Sequence, residues 1–183
     1  MANEAGGFTD QYEGIRILTV GRLTYQKAYD IAIDAMKLVK AVGLQSEDGM
    51  YSVKETSAKN WRKRSKSLDS KRTFVAGAVE NPYPYYAQAD LYVHATRFEG
   101  KSIAIQEAQV LGCPVIASDC NGNREQIESG VDGILCKLSP EDIAKCIEEL
   151  IADPKKRQIY AKCARERNKE NKEEINQLLT MMR

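Results

Sequence analysis

The chain has 183 residues, of which 27 are Lys or Arg and 26 are Asp or Glu, so its formal net charge is +1. Because the charges balance, no overall field draws the chain to DNA or to an anionic membrane, and from the pattern of apolar residues we expect neither a bilayer span nor a signal peptide. Five scattered cysteines, an odd number, indicate reduced thiols of a cytoplasmic protein rather than a disulfide framework or a zinc site.

Hydrophobic patterning and turn residues predict strands that alternate with helices. In chain order we predict a strand at 15–20, a helix at 29–41, a strand at 73–77, a short helix at 84–88, a strand at 90–95, a helix at 102–111, a strand at 114–118, a helix at 123–128, a strand at 133–136 and a helix at 140–151. The charged stretch 155–183 is predicted to be helical. Such alternation predicts the α/β class, a Rossmann-like open parallel sheet flanked by helices, as one domain over 15–183 after a linker at 1–14.

Residues 97–109, R-F-E-G-K-S-I-A-I-Q-E-A-Q, carry the strongest signal for a site. An acidic loop joins a predicted strand to a predicted helix, which places the loop where open α/β sheets bind ligands. Two acids, Glu99 in the loop and Glu107 in the helix, stand eight positions apart. Glu99 can accept hydrogen bonds from sugar hydroxyls, and Glu107 can chelate a vicinal diol such as ribose. For either acid taken alone, the alternative is a solvated surface carboxylate.

Backbone groups of the same loop predict an anion site. Gly100 lets the main chain approach a ligand with no Cβ in the way. The N–H groups of Lys101, Ser102 and Ile103 would open the helix, and such amides offer partial positive charge to a phosphate or sugar oxygen. The loop therefore suits a sugar nucleotide, which carries both kinds of oxygen.

This loop resembles the E-x7-E motif of retaining glycosyltransferases with the GT-B fold, especially family four, the glycosyl transferases group 1. Three further stretches are similar, in the same order, to the C-terminal, donor-binding domain of that family. They are I-R-I-L-T-V-G-R-L-T-Y-Q-K at 15–27, G-C-P-V-I-A-S-D at 112–119, and N-G-N-R-E-Q-I-E-S-G-V-D-G-I-L at 121–135. The resemblance covers most of residues 15–155 and implies one half of a GT-B fold.

The resemblance also implies roles for individual residues. Arg22 and Lys27 would hold the donor diphosphate and neutralise the charge that builds on the leaving nucleoside diphosphate. Glu99 would contact the transferred sugar, Glu107 the ribose, and the loop amides the sugar or phosphate. Without the resemblance, the alternative for the two cations is a solvated loop pair. The implied catalytic residues are Arg22, Lys27 and Glu99, and the implied donor-binding residues are Gly21, Gly100, Lys101, Ser102, Ile103 and Glu107.

The implied substrate is a nucleoside-diphosphate sugar, with UDP or GDP as the expected nucleotide. We expect no cofactor and no metal, because by resemblance these enzymes work without a bound metal ion. The sequence agrees with this, since it shows neither a D-x-D motif nor a His/Cys cluster with ligand spacing.

Two residues depart from the family pattern. Ala28 stands where a glycine usually follows the lysine, and Ala95 where a proline is common. We expect Ala28 to cost little unless its φ must be positive. His94, the single histidine of the chain, lies beside Ala95 at the end of a predicted strand, where it could touch a ligand, but we expect a structural role.

Residues 44–76 are anomalous, because the family pattern requires a buried strand ending in G-D-G or G-E-G and then a charged helix. No apolar strand is visible in the sequence there. We hypothesise that this stretch is translated out of frame. Plausible codons for residues 48–74, read two bases later, give W-Y-V-F-G-E-G-D-Q-R-K-E-L-E-K-A-I-E-E-L-G-L-K-K-D-F, and a compensating slip near residues 75–78 would restore the frame.

If the residues stand as printed, 54–72 is strongly basic and contains Trp61, which superficially fits a nucleic-acid patch. Its apolar content is too low to give a binding helix with a packed back face. We therefore expect no nucleic-acid partner.

The expected function is that of a glycosyltransferase fragment, of the hexosyltransferase type when intact. A missing N-terminal domain would supply the acceptor site, and transfer to a hydroxyl would retain the anomeric configuration, in surface polysaccharide or glycolipid synthesis. The acceptor would be a sugar or a lipid-linked glycan. We expect the protein in the cytoplasm, at the inner face of the membrane if the missing half binds it peripherally, and expect this chain alone to be inactive.

Two alternatives remain open. The first is another GT-B enzyme, such as a nucleotide-sugar epimerase or a phosphorylase, against which the pairing of R-L-x-x-x-K with E-x7-E argues. The second is a non-catalytic nucleotide-binding or assembly module. Nucleotide titration separates the second alternative from the enzymes.

Overall fold

Strands and helices alternate along the chain. The computed structural model describes residues 7–8, 14–22, 24–39, 49–53, 73–77, 79 and 81–168. The strands of these residues are β1 (Arg16–Val20), β2 (Gly49–Val53), β3 (Thr73–Gly77), β4 (Leu91–His94), β5 (Val115–Ser118) and β6 (Gly133–Cys136). The helices of these residues are α1 (Tyr29–Leu38), α2 (Tyr83–Gln88), α3 (Ile103–Leu111), α4 (Asn121–Arg124), α5 (Pro140–Ala152) and α6 (Pro154–Asn168).

The strands form one parallel sheet in the order β3-β2-β1-β4-β5-β6. The chain builds outward from β1 on one side and from β4 on the other, which is the doubly wound order of Rossmann-like folds. The predicted α/β class and the Rossmann-like parallel sheet are therefore confirmed. Because parallel strands end at the same edge, the loops after neighbouring β1 and β4 begin side by side.

Helices cover both faces of the sheet, and the side chains of the strands alternate between two apolar cores. Ile17 belongs to the core that α1 and α5 cover, whereas the next residue, Leu18, belongs to the core beside α2 and α3. In the same way Val93 faces the first core and Tyr92 the second. A parallel sheet buried on both faces explains why these strands are apolar at nearly every position.

The predicted elements lie close to the observed ones. Two predicted helices differ from the structure: one is displaced along the chain, and the other is predicted too long. The helix predicted at 123–128 is wrong in position, since α4 spans Asn121–Arg124. Cys120 is extended and its carbonyl accepts from the N–H groups of Asn123 and Arg124, so the helix begins directly after it. The first helix was predicted to reach residue 41, but α1 ends at Leu38, because Val39 leaves the helical conformation.

Although no apolar strand is visible in the sequence between residues 43 and 73, the structure has a strand there. Strand β2 (Gly49–Val53) runs parallel between β1 and β3, with Arg16 opposite Gly49 and Val20 opposite Val53. Residues 44–48 and 54–72 of the anomalous stretch, which would hold the helix of the out-of-frame translation, lie outside the described residues.

The two ends of the chain are described in part. From the predicted linker 1–14, Phe8 donates its N–H to Gln88 Oε1 at 2.7 Å and packs edge-on against Tyr85. The predicted C-terminal helix is confirmed over α6, while residues 169–183 lie outside the described part. None of the described helices is both long and apolar enough to cross a bilayer.

Candidate functional site

Two loops meet at the carboxyl edge of the sheet, one after β1 and one after β4. The carbonyl of Gln26 accepts from the Arg97 N–H at 2.8 Å and from Thr96 Oγ1 at 3.0 Å. In return, Gln26 Nε2 donates to the carbonyl of Phe98 at 3.0 Å. These bonds fix the basic loop of β1 against the acidic loop of β4, as the family resemblance requires.

Lys27 and Glu99 form an ion pair at this junction. Lys27 Nζ contacts Glu99 Oε2, and the two side chains are only 18% and 12% exposed. His94 Nε2 lies 3.3 Å from the same carboxylate oxygen, and Gln26 Nε2 lies 3.3 Å from Oε1. The hydrogen bond to His94 and then the contact with Lys27 lower the pKa of Glu99 to about 2, although burial opposes them. The acid is therefore ionised and held from three directions.

His94 is buried and belongs to this polar cluster. Burial lowers its pKa, although the Glu99 carboxylate opposes the shift, so the ring is neutral at neutral pH. An ionised carboxylate only accepts, which puts the ring proton on Nε2. Nδ1, 3.0 Å from the Tyr92 hydroxyl, then accepts from that group. The sequence predicts only a structural role for His94, and its contact with Glu99 is visible only in three dimensions.

Glu107 is not a solvated helical acid. It is 9% exposed, and the Tyr86 hydroxyl donates to its Oε2 at 3.1 Å. Burial and the neighbouring carboxylate raise the pKa of Tyr83 and Tyr86. Ring contacts continue from Tyr86 to Tyr92 at 5.3 Å, and from Tyr92 to His94 at 5.8 Å. A buried aromatic row therefore separates Glu107 from Glu99.

One of the three predicted loop amides is already occupied. The Ser102 N–H donates to Gln126 Oε1 at 2.6 Å, and Gln126 Nε2 donates back to the Ser102 carbonyl at 2.9 Å. The expectation that this amide is open to a ligand is wrong, because a side chain 24 positions away takes it. Lys101 and Ile103 have exposed side chains, and a Cβ built on Gly100 would meet nothing within 4 Å.

The remaining predicted residues lie on the loop after β1. Gly21 directly follows the strand with a φ of 156°. Arg22 has an exposed side chain on this loop, and no carboxylate of the described residues pairs with it, whereas Lys27 turns inward to Glu99. The structure therefore joins Lys27 with Glu99 directly and leaves Arg22 at the rim.

Ala28, at the end of this loop, has a φ of 42° and a ψ of 36°, in the left-handed region. It is the one residue other than glycine with positive φ in the described part of the chain, and it is fully buried. We expect Ala28 to reduce stability only if its φ must be positive, and the structure shows a positive φ. An L-residue is strained in that region.

Two contacts that the sequence does not predict stabilise the loops after β1 and β4. Arg97 makes a bidentate ion pair with Asp30 at 3.1 and 2.7 Å, and its guanidinium lies 4.0 Å above the Tyr25 ring. Gly122, in α4, lies so close to the acidic loop that an added Cβ would stand 1.9 Å from the Gly100 carbonyl oxygen. The glycine is therefore required for this close approach.

No three His, Cys, Asp or Glu side chains of the described residues are grouped as a metal ion would need. The donors that the structure concentrates at the junction are an ammonium, an imidazole and an amide. This set suits anionic and hydroxyl-bearing ligands.

A doubly wound sheet with a basic and an acidic loop at its switch point defines a domain of the Rossmann-like class. Sequence comparison identifies the group within this class. The model of the family "Glycosyl transferases group 1" matches residues 11–167, and the chain belongs to this family.

Curated relatives include a bacterial biosynthetic glycosyltransferase. The chain is 28% identical over 152 residues to the amylovoran biosynthesis glycosyltransferase AmsD of Erwinia amylovora, covering 81% of this chain and 42% of the relative. It is 29% identical over 143 residues to an uncharacterized 41.2 kDa protein in the cps region of Klebsiella pneumoniae, covering 75% of this chain and 36% of that protein. The chain spans less than half the length of these relatives.

Solved structures share the fold. Anabaena Alr3699/HepE in complex with UDP superimposes with a TM-score of 0.75 at 23% identity, over 92% of this chain and 46% of that one. The C-terminal domain of the group 1 family protein LpcC from Francisella tularensis gives a TM-score of 0.74 at 21% identity, over 85% of both chains. The architecture is thus that of a glycosyltransferase C-terminal domain.

Proposed function

We propose that this chain is the donor-binding half of a glycosyltransferase, which moves a sugar from a nucleoside diphosphate to an acceptor hydroxyl. The observation that carries the proposal is the meeting of Lys27 and Glu99 at the switch point of the sheet. Membership of the group 1 family supports it.

The cationic loop after β1 is assigned to the diphosphate. Lys27 and Arg22 are five positions apart on this loop, one turned inward and one at the rim. Two cations on one loop can stabilise the negative charge that grows on the leaving diphosphate as the sugar departs. Gly21 and the exposed segment from Gly100 to Ile103 complete this side of the site, with the Ser102 amide excepted because Gln126 occupies it.

The two acids are assigned to the neutral parts of the donor. Glu99 is ionised and anchored, so it can accept hydrogen bonds from hydroxyls of the transferred sugar. Glu107 is anchored by Tyr86 and can accept from the ribose diol. Anchored acceptors suit this task because little rotamer freedom is lost when the ligand binds.

The reaction requires an acceptor, which we assign to an N-terminal half of the same enzyme, as the GT-B resemblance implies. The bond between the anomeric carbon and the diphosphate breaks, and its electron pair goes to the diphosphate. The acceptor oxygen forms a new bond to the anomeric carbon with retained configuration, and its proton leaves with the diphosphate. This chain alone would bind donor without completing the transfer.

The biological setting is proposed from the relatives. A role of AmsD in amylovoran biosynthesis supports a hexosyltransferase of surface polysaccharide or glycolipid synthesis. Alr3699/HepE binds UDP, which supports UDP as the nucleotide here, with GDP as the other candidate. The acceptor would be a sugar or a lipid-linked glycan, reached on the cytoplasmic side of the membrane.

Calorimetric titration of this chain with UDP, GDP and ADP tests the proposal. We expect one nucleotide to bind and Lys27→Ala to weaken it about tenfold or more, because a charge-assisted bond to phosphate is lost. Lys37→Ala is the matched control, since that lysine pairs with Asp34 on the surface of α1.

The outcomes separate the alternatives. A folded chain that binds none of the three nucleotides contradicts the proposal and favours an assembly module. Binding followed by epimerisation of a nucleotide sugar in the full-length enzyme, without transfer, would favour another GT-B enzyme.

A further inference from the structure

Lys27 has two competing partners in the proposed function. In the structure its ammonium contacts Glu99 Oε2, while donor binding requires it at the diphosphate. A transfer of Lys27 to the phosphates would leave Glu99 without its ion-pair partner just when the sugar arrives. The carboxylate must then be held by other groups, or it would rotate away from the sugar.

His94 is placed to hold it. The ring is 3% exposed at the end of β4, so it stays with the sheet and cannot follow the ligand. Its Nε2 lies 3.3 Å from the oxygen that Lys27 shares, and Gln26 holds the other oxygen. Two neutral donors therefore remain on Glu99 after the ammonium has left.

Tyr92 holds the His94 ring in place on the side away from Glu99. Its hydroxyl lies 3.0 Å from His94 Nδ1 and 3.3 Å from the Val20 carbonyl. The phenol has one proton and both neighbours can accept it, but because the ionised Glu99 keeps the ring proton on Nε2, the unprotonated Nδ1, at the shorter distance, accepts from Tyr92.

We propose that His94 is a positioning residue, anchored by Tyr92 and carrying its proton on Nε2, that keeps the Glu99 carboxylate directed at the donor sugar when Lys27 transfers to the diphosphate. This inference rests on the proposed donor site. It concerns contacts with the sugar of the donor and not with the nucleotide. An experiment can therefore test this inference separately from the proposed function.

Paired titrations with UDP and UDP-glucose test it, with GDP and GDP-mannose as the second pair. In His94→Leu we expect affinity for the nucleotide sugar to fall roughly tenfold, the scale of one hydrogen bond to a charged group, while affinity for the diphosphate stays within twofold. His94→Gln retains an N–H donor and should restore most of the loss. Tyr92→Phe removes one oxygen far from the ligand and should weaken only the sugar nucleotide, by about threefold.

Each outcome decides the question. Equal weakening of both ligands would show a role in folding alone, and unchanged binding of both would show that Glu99 needs no such support. Either result overturns the inference while leaving the donor site intact. If the wild-type chain binds neither ligand, the proposed function fails and this inference fails with it.

The single histidine also permits a direct measurement without ligand. Nitrogen-15 spectra of the imidazole should show one neutral ring with the proton on Nε2, and Tyr92→Phe should keep that tautomer because the Glu99 carboxylate still accepts from the Nε2–H. A proton on Nδ1 in the wild-type chain would overturn the assignment, because the ring could then not donate to Glu99.

Discussion

Gln126 binds both backbone polar groups of Ser102, accepting from the N–H at 2.6 Å and donating to the carbonyl at 2.9 Å. Ser102 is the residue that precedes α3, and both residues are buried. A side chain from the segment after α4 therefore completes the helix terminus that the E-x7-E loop enters. The side-chain amide of Gln126 therefore fixes the start of α3 in the absence of a ligand.

Replacement of Gln126 by Ala should therefore lower the free energy of unfolding by roughly 2–3 kcal/mol, because two buried backbone groups lose their partners. Urea denaturation measures this change. Gln158→Ala, on the exposed side of α6, is the matched control and should change stability by less than about 0.5 kcal/mol. A loss in the Gln126 variant no larger than in this control would mean that water satisfies Ser102 equally well.

Two glycines of the site should respond in opposite ways to an added methyl group. Gly122→Ala places a Cβ 1.9 Å from the Gly100 carbonyl oxygen, so the acidic loop must move, at a cost of roughly 1–3 kcal/mol in stability. Gly100→Ala meets nothing within 4 Å and should leave stability unchanged or slightly higher.

Titration of the two variants with donor then separates an effect on folding from an effect on ligand binding. Gly122→Ala should weaken binding through the displaced loop, and Gly100→Ala should weaken it by blocking the ligand's approach, without loss of stability. Full affinity in Gly100→Ala would show that no ligand comes close to that backbone.

Much of the fold could be predicted from the sequence because the buried strands are continuous apolar runs. Strands β4, β5 and β6 were placed within a residue or two for this reason. Strand β2 escaped prediction because its printed residues, G-M-Y-S-V, include a glycine and a serine and are preceded by polar residues. A central parallel strand is normally apolar, so periodicity had little to detect there.

The site was predictable in part. Lys27 and Glu99 followed from motifs, since each loop carries a recognisable spacing. The partners of Glu99 could not be predicted, because the sequence shows His94 as an ordinary strand residue and Gln26 as an ordinary loop residue. The Arg97 and Asp30 pair joins residues 67 positions apart, and only the neighbouring positions of β1 and β4 bring them together.

Ala28 offers a test of stored backbone strain. The left-handed region costs an L-residue about 1–2 kcal/mol. Ala28→Gly relieves this cost but loses a buried methyl group, worth about 0.8 kcal/mol, and gains entropy in the unfolded chain. We therefore expect Ala28→Gly to lie within about 1 kcal/mol of the wild type.

A β-branched residue should not be tolerated at this position. Ala28→Val should lose more than about 2 kcal/mol, since valine adds both strain and volume at a fully buried position. Thermal unfolding of both variants measures the contrast. Equal stability of the Gly and Val variants would show that the turn adopts another conformation.

Acid should weaken the fold through Glu99. Its pKa is lowered to about 2 from an ordinary 4.5, so the folded chain binds this proton less readily than the unfolded chain. The stabilisation is therefore complete above about pH 4.5 and is lost as the pH falls through 2. Lys27 and Gln26 face the carboxylate, and so does His94, whose pKa is lowered from 6.5.

Urea denaturation of the wild type and Glu99→Gln between pH 7 and pH 2 measures the effect. The wild type should be the more stable protein at pH 7, and the difference should shrink toward zero near pH 2. A difference that stays constant with pH would show that Glu99 titrates alike in both states. Glu141→Gln, an exposed acid in the first turn of α5, is the control.

The hypothesis that residues 44–76 are translated out of frame makes a prediction about DNA. Strand β2 lies centrally between β1 and β3, where both faces of a parallel strand are normally buried. The out-of-frame peptide places W-Y-V-F over residues 48–52, which is an apolar run at that strand. Sequencing of the encoding DNA should therefore reveal a shift in frame before codon 49 and a compensating one near codons 75–78. It should also reveal wobble bases that spell the G-E-G turn after the strand. An unbroken frame, with codons that cannot spell this peptide, would establish G-M-Y-S-V as the genuine central strand.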